Sequence, residues 1–333
     1  MTLAQVIGCL FVILGHSYPF LTPMPSVVVS VQKFIYVFHM PLFVFCSGFL
    51  FAYSRQTERK SFAQFIQQRA KKLLIPYFIL SLIGILPKYL FSSVLNDSLQ
   101  LDYISLIRTI FVPRENIWGH FWFIPMIFLM GCVSYLVDKR LTRRMSQILG
   151  WGILSVVLIS LAAVWNNTEA MQWLGVNDLV KFGWCYSLGI TLFYICGDLK
   201  ERIHVNKYSL ILISVIAASI SILLWIIVGY GTARFIVSVL MILSVLTLSL
   251  SCDDMVNVNR SSLIAQTYQI YILSWPCQLV AEIILERLLH VPWWIIIPSV
   301  LCAGVVVPLI IIKHIQIFEK RTDTYFLSLI VGK

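Results

Sequence analysis

Long apolar stretches recur along the whole of this chain, separated by short polar segments, and none shows the strict alternation of a half-buried strand. Ten stretches stand out: about 2–20, 35–54, 73–95, 118–137, 148–165, 182–198, 209–229, 234–251, 263–285 and 293–315. Each approaches the roughly 20 residues an α-helix needs to cross the hydrocarbon core. Absence of strand alternation argues against a β-barrel, and a helix is the other way to satisfy backbone polar groups in lipid. The pattern therefore predicts an all-α fold: a polytopic integral membrane helical bundle of about ten transmembrane helices. No repeat of fixed period, low-complexity tract or composition break divides it, so 1–333 reads as a single transmembrane domain.

Composition sharpens this. Of 333 residues 59% are hydrophobic and 12% charged, with a mean hydropathy of +0.87. A soluble chain carries about a quarter charged residues. The net charge of +10 would suit a nucleic-acid partner, but its placement argues otherwise. With the N-terminus taken as cytoplasmic, 18 Lys and Arg fall on the inside segments and 7 on the outside ones. That split is what the positive-inside rule demands, with both termini cytoplasmic. The basic charge thus reads as topology, and no nucleic-acid partner is implied. The first apolar run lacks a positive leader and an Ala-x-Ala-like cleavage site, so it reads as a retained helix and not a signal peptide. Met1 leads almost directly into that helix, the start expected where a short cytoplasmic lead is missing. The eight cysteines lack CxxC or CxxH spacing and mostly lie inside apolar runs, where they act as small hydrophobes; no metal site is predicted. No phosphate-binding loop, dinucleotide fingerprint or zinc-protease motif is present.

Ionisable side chains at membrane depth are costly and concentrate at functional positions, so each one asks for a reason. His16, in ILGHSYPF, lies about 22 Å along a helix begun at Met1, in the outer half of the membrane. It reads either as an interfacial histidine beside Ser17 and Pro19 or as chemistry. His39 stands in an otherwise apolar helix next to Pro41, whose missing N–H frees carbonyls that can line a cavity. It reads as helix–helix glue or as a functional group. Ser47-Gly48 offers a small face for close helix approach. Trp118, His120 and Trp122 open the fourth run. They read as an interfacial aromatic belt or, for Trp122, as a platform for a sugar face. The basic stretch from Arg55 to Lys72 reads as an inside amphipathic segment whose Arg69, Lys71 and Lys72 are also suited to phosphates of a cytoplasmic donor.

Together VILGHS (Val12–Ser17), IYVFHMPLFVFCSGFLF (Ile35–Phe51) and RAKKLLIPYF (Arg69–Phe78), supported by HFWFIPMIF (His120–Phe128), resemble the membrane-bound acyltransferase-3 family, in particular its sugar O-acetylases. Beyond residue 130 the resemblance is one of topology more than motif. It implies a multi-pass enzyme of the bacterial cytoplasmic (inner) membrane that moves an acetyl group from acetyl-CoA to a hydroxyl of an envelope glycan or lipid-linked sugar. No bound cofactor is implied; acetyl-CoA is the donor substrate, and membrane lipids surround the protein. The family's first-helix catalytic histidine falls on His16 and its third-helix arginine on Arg69, ahead of Pro76-Tyr77. Ser17, His39, Tyr77, His120 and Trp122 are the accompanying candidates for substrate contact or support. A histidine suits the chemistry, because its ordinary pKa of about 6.5 lets the neutral ring take a hydroxyl proton, or carry the acyl group in passing. Two positions depart from the family pattern: Gln5 replaces an arginine eleven residues before His16, and Ser274 replaces a late-helix histidine. A family member that exports a polysaccharide or lipid-linked sugar without acyl transfer is the alternative reading, since membrane histidines and prolines also suit a conduit.

Overall fold

The computed structural model describes residues 2–90, 102–196, 206–229, 233–252, 262–324 and 326–332. Among them the chain is helical: α1 (Thr2–Gly15), α2 (Ser26–Tyr53), α3 (Gln56–Arg59), α4 (Phe62–Leu90), α5 (Tyr103–Phe111), α6 (Phe123–Arg140), α7 (Arg144–Val164), α8 (Val176–Cys196), α9 (Lys207–Val228), α10 (Arg234–Ser251), α11 (Ser262–Glu282), α12 (Trp293–Thr322) and α13 (Phe326–Ile330). A π-helical turn, Ile283–Leu288, extends α11. Each of the ten predicted stretches corresponds to a helix, and seven helices among the described residues are long and apolar enough to cross a membrane. The protein is a multi-pass, all-helical membrane protein. Residues 91–95 and 197–198 of the predicted stretches, and Lys200, Arg202 and Arg260 of the inside loops, lie outside the described residues.

Boundaries moved where the predicted edges followed hydropathy alone. α2 begins nine residues before its apolar block, at Ser26, and α4 eleven before, at Phe62. The later part of the predicted inside segment, from Phe62, and the span after it are therefore one helix. α1 stops at Gly15, short of the predicted 20, because His16 and Ser17 close a tight last turn and Pro19 blocks another. The short α5 had no predicted counterpart. Asp102 starts it, its carboxylate accepting from the Ile104 and Ser105 N–H groups at 2.9 Å each. The Ser105 hydroxyl also donates to it, and these bonds hold the carboxyl below its ordinary pKa.

The chain divides into two compact units, Met1–Cys46 with Ile195–Lys313, and Ser47–Tyr194 with His314–Lys333. In the first, α9 and α10 pair antiparallel. The Ser214 hydroxyl donates to the Ser244 carbonyl at 2.9 Å and that of Ser221 to Val237 at 3.3 Å. Ser214, Ala217 and Ser221 face inward while Leu212, Ile216, Ile220, Leu223 and Ile227 are exposed. Small residues inside and large apolar ones outside are the pattern of helices packed in lipid, where close approach and hydrogen bonds replace the hydrophobic drive between helices. In the same unit α1 runs parallel to α11.

In the second unit α4 and α6 are antiparallel. Gly48, at the start of this unit, packs so tightly that a Cβ there would lie 2.0 Å from the Tyr186 carbonyl oxygen, bearing out the small-face reading. Asp138 is buried and accepts from the Thr57 hydroxyl (2.8 Å), the Tyr194 hydroxyl (2.8 Å) and the Trp151 indole (3.3 Å). One carboxylate thereby joins the α3 segment to α6, α7 and α8.

Candidate functional site

His16 sits where α1 ends. Its N–H is shared between the Val12 and Ile13 carbonyls at 3.2 Å each, so the ring projects from a closing turn and is half-buried. Gln32, Tyr36 and His39 recur at helical spacing along one stripe of α2. Gln32 donates to the Gly15 carbonyl at 3.5 Å, and the Tyr36 hydroxyl meets His16 Nδ1 at 3.1 Å. The His39 ring lies 5.0 Å from that of Tyr36 and 6.4 Å from that of His16. His39 Nδ1 is 2.8 Å from the Ile35 carbonyl; a carbonyl has no proton to give, so Nδ1 carries the hydrogen and the neutral ring keeps its lone pair on Nε2. The structure thus brings His16 and His39 together, with Tyr36 between them.

The third wall comes from α11. Tyr271, Trp275, Gln278 and Glu282 share a stripe. Tyr271 stacks on Phe43, and Trp275 meets His16 edge-on at 4.4 Å. Gln278 Nε2 donates to the Ile13 carbonyl at 2.8 Å and to the Ser17 hydroxyl at 2.9 Å, while Ser17 itself donates to Ile13 at 2.7 Å. Ser17 is therefore a cap on the helix that carries His16. A Cβ on Gly304 of α12 would fall 2.6 Å from Ile13 and 2.7 Å from Gln278, so only glycine leaves room for this arrangement. The chain after His16 is held by two carboxylates. Glu282 accepts from the Phe20 N–H at 3.0 Å, and Glu286 accepts from those of Leu21 at 2.8 Å and Thr22 at 2.5 Å. Gln5 lies about three helical turns before His16, on the same side of α1. Ser274 donates to the Tyr271 carbonyl of its own helix, so the neighbouring Trp275 is what α11 offers to His16.

The remaining candidates belong to the second unit. The Arg69 guanidinium donates through Nη2 to the Ile127 carbonyl at 2.9 Å and lies over the Phe65 ring. It rests on the bare face of Gly131, where a Cβ would be 2.3 Å from Nε. Tyr77 is buried and donates to the Ile110 carbonyl at 2.7 Å, tying α5 to α4. His120 is buried against Phe121. Trp122 is also buried, and neither residue forms an exposed belt. One face of the Trp122 ring is covered by the Arg114 guanidinium at 3.7 Å, with Phe182 tilted against it at 5.2 Å. Arg114 in turn donates to both oxygens of Asp178, at 2.6–3.1 Å. That ring therefore serves an internal stack. Trp118 packs on Gly84 and donates to the Leu80 carbonyl at 2.9 Å.

Sequence reasoning missed Tyr36, Trp275, Gln278, Glu282 and Glu286. A signal existed for three of them: Gln278, Glu282 and Glu286 are polar residues in or beside an apolar run, four residues apart, and the same desolvation argument that singled out His16 applies to them.

Comparison with known proteins adds the following. A family model described as an acyltransferase domain matches residues 1–313. The nodulation protein NolL of Mesorhizobium japonicum (strain LMG 29417 / CECT 9101 / MAFF 303099) is 30% identical over 195 residues, covering 58% of this chain and 46% of that protein. The chain thus spans about half the length of the curated relative it matches. No solved structure matches it.

Proposed function

This chain belongs to the membrane acyltransferase-3 family, and on that premise we propose that it is an integral membrane O-acyltransferase moving an acetyl group from acetyl-CoA to a hydroxyl of an envelope sugar. The observation that carries this reading is the contact of the Tyr36 hydroxyl with His16 Nδ1. In the tautomer whose Nδ1–H donates to Tyr36, the neutral ring carries its lone pair on Nε2, which is the arrangement a general base requires. The sugar hydroxyl oxygen attacks the thioester carbonyl carbon, its proton passes to Nε2, the carbon–sulfur bond breaks, and coenzyme A leaves as the thiolate to recover the proton from His16. Trp275 and Tyr36 limit the ring's rotation, so little ordering remains for the reactive step.

Arg69 serves the donor. It lies in the predicted inside segment, with the exposed Lys71 and Lys72 beside it, where phosphates arriving from the cytoplasm meet positive charge. The bacterial inner membrane, with both termini cytoplasmic, is the setting that fits the 18-to-7 distribution of basic residues. His16→Ala in cells, with membrane levels verified, removes acetyl from the envelope glycan on this reading; undiminished acetylation defeats it. An exporter without chemistry fails to transfer labelled acetyl from acetyl-CoA when purified, which separates that alternative.

A further inference from the structure

Gln278, Glu282 and Glu286 follow one another at intervals of four along α11 and its π-helical turn, and together they meet the chain on both sides of His16. Gln278 holds Ile13 and Ser17. Glu282 and Glu286 take the N–H groups of the strap Phe20–Thr22. Four residues of α-helix turn through about 400°, so a stripe at this spacing drifts by about 40° at each step. The π-turn works against that drift. Its Leu289 N–H reaches back five residues to the Ile284 carbonyl at 3.0 Å, so each residue there turns through a smaller angle and Glu286 stays on the side that faces the strap.

The side chains of Phe20 and Leu21 are more than half exposed, so packing does little to hold the strap and its backbone amides carry the attachment. The Phe20 N–H lies 3.0 Å from Glu282 Oε1 and 3.3 Å from Glu286 Oε2, which sets the two carboxyls side by side. Both are buried, and they hydrogen-bond to each other. A carboxylate offers only acceptors, so that bond requires a proton between them. The remaining contacts say where it sits. Glu286 Oε1 accepts from Leu21 at 2.8 Å and Thr22 at 2.5 Å, and its Oε2 faces Phe20, so donors occupy both oxygens. Glu282 meets the strap through Oε1, which leaves Oε2 to carry the hydrogen. One shared proton also avoids burying two like charges in contact, and Arg287 adds positive charge towards Glu282.

We propose that Glu282 and Glu286 share one proton, with Glu282 holding it and Glu286 charged, and that this pair seats the Phe20–Thr22 strap and with it the turn that bears His16. Its bearing on acyl transfer rests on the His16 reading above. Both are positioning residues and take no part in bond making.

The test compares full-length wild type, Glu282→Ala, Glu282→Gln and Glu286→Gln in nanodiscs. The readouts are kcat and KM for acetyl transfer, amide hydrogen exchange over Phe20–Thr22, and infrared absorption. Glutamine at 282 reproduces the protonated carboxyl, its carbonyl accepting from Phe20 and its amide donating to Glu286. Glu282→Gln therefore restores the kcat that Glu282→Ala loses, about tenfold, while the infrared band of one protonated carboxyl seen in wild type at neutral pH disappears. Glu286→Gln sets an amide N–H against N–H donors: exchange over the strap quickens about tenfold, and kcat falls about tenfold with KM for acetyl-CoA unchanged. Glutamine at 282 faring no better than alanine, glutamine at 286 being tolerated, or no carboxyl band lost in Glu282→Gln overturns the proposal. The infrared comparison needs only wild type and the near-isosteric Glu282→Gln, so it stands whether or not the other variants fold. Wild type that transfers no acetyl defeats the acyl-transfer reading instead, and exchange and infrared then decide the pair.

Discussion

Replacing Tyr36 by phenylalanine removes one atom from the environment of His16. The hydroxyl lost is 3.1 Å from Nδ1, on a side chain 43% exposed, so its removal leaves no buried group without water. The global cost is accordingly small, about 0.5 kcal/mol or less, at the bottom of the range for a net hydrogen bond. On the proposed reading the effect on the reaction is larger, because the hydroxyl helps to hold the ring in one orientation. Groups that orient a working histidine are worth about 10- to 100-fold when removed, in the related setting of metal ligands. Trp275, at 4.4 Å, still packs on the ring after the change, and we expect a drop in kcat of about tenfold, equal to about 1.4 kcal/mol of barrier. KM for acetyl-CoA is expected to stay as it was, because Tyr36 belongs to the acceptor side of the mechanism. The assay is transfer of labelled acetyl by purified Tyr36→Phe, with a full pH–rate profile. Loss of the Nδ1 partner also displaces the acidic limb of the profile, where a general base gains its proton, which a mere packing defect would not do. Unchanged kcat and an unmoved profile, alongside an inactive His16→Ala, refute the claim that Tyr36 sets the working nitrogen.

Two further outcomes test how the fold carries the site. Gly304→Ala drives a methyl into Ile13 and Gln278; overpacking of this kind costs about 1–3 kcal/mol, and it is expected to lower kcat by disturbing the turn under His16, measured by transfer and thermal unfolding of the same preparation. Asp138→Ala leaves the Thr57, Tyr194 and Trp151 donors without their acceptor and lowers stability by about 3 kcal/mol, whereas Asp138→Asn loses less because one carbonyl oxygen remains; scanning calorimetry of solubilised protein separates the two.

Much of the architecture is legible in the residues alone, because lipid leaves the backbone little choice but helix and writes each span as an apolar run. The same physics made His16 and His39 conspicuous, and the fold does place them together. What hydropathy misses is helix that continues into polar sequence, as at Ser26–Phe34 and Phe62–Lys72, where hydrogen bonding along the axis matters more than transfer free energy. The partners of His16 were hidden for a different reason. Tyr36 and Trp275 look like ordinary members of apolar helices until α1, α2 and α11 are packed, and more than two hundred residues separate His16 from Trp275. Trp122 is the opposite case: exposed in expectation, it is covered by Arg114, and only the Arg114–Asp178 pair across 64 residues explains why. Tyr77 and Ser17 lie next to functional candidates in sequence and spend their hydroxyls on carbonyls of the fold.

The central claim is that His16 takes a proton during acyl transfer, and it is tested most directly by single-turnover transfer of radiolabelled acetyl from acetyl-CoA to an envelope-glycan acceptor, with purified wild type and His16→Ala compared at equal folded concentration. The account predicts transfer by the wild type and a loss of at least about a hundredfold in the variant, the low end of what a positioned general base contributes, with coenzyme A binding retained. Equal transfer by the two proteins, or none by the wild type, contradicts it.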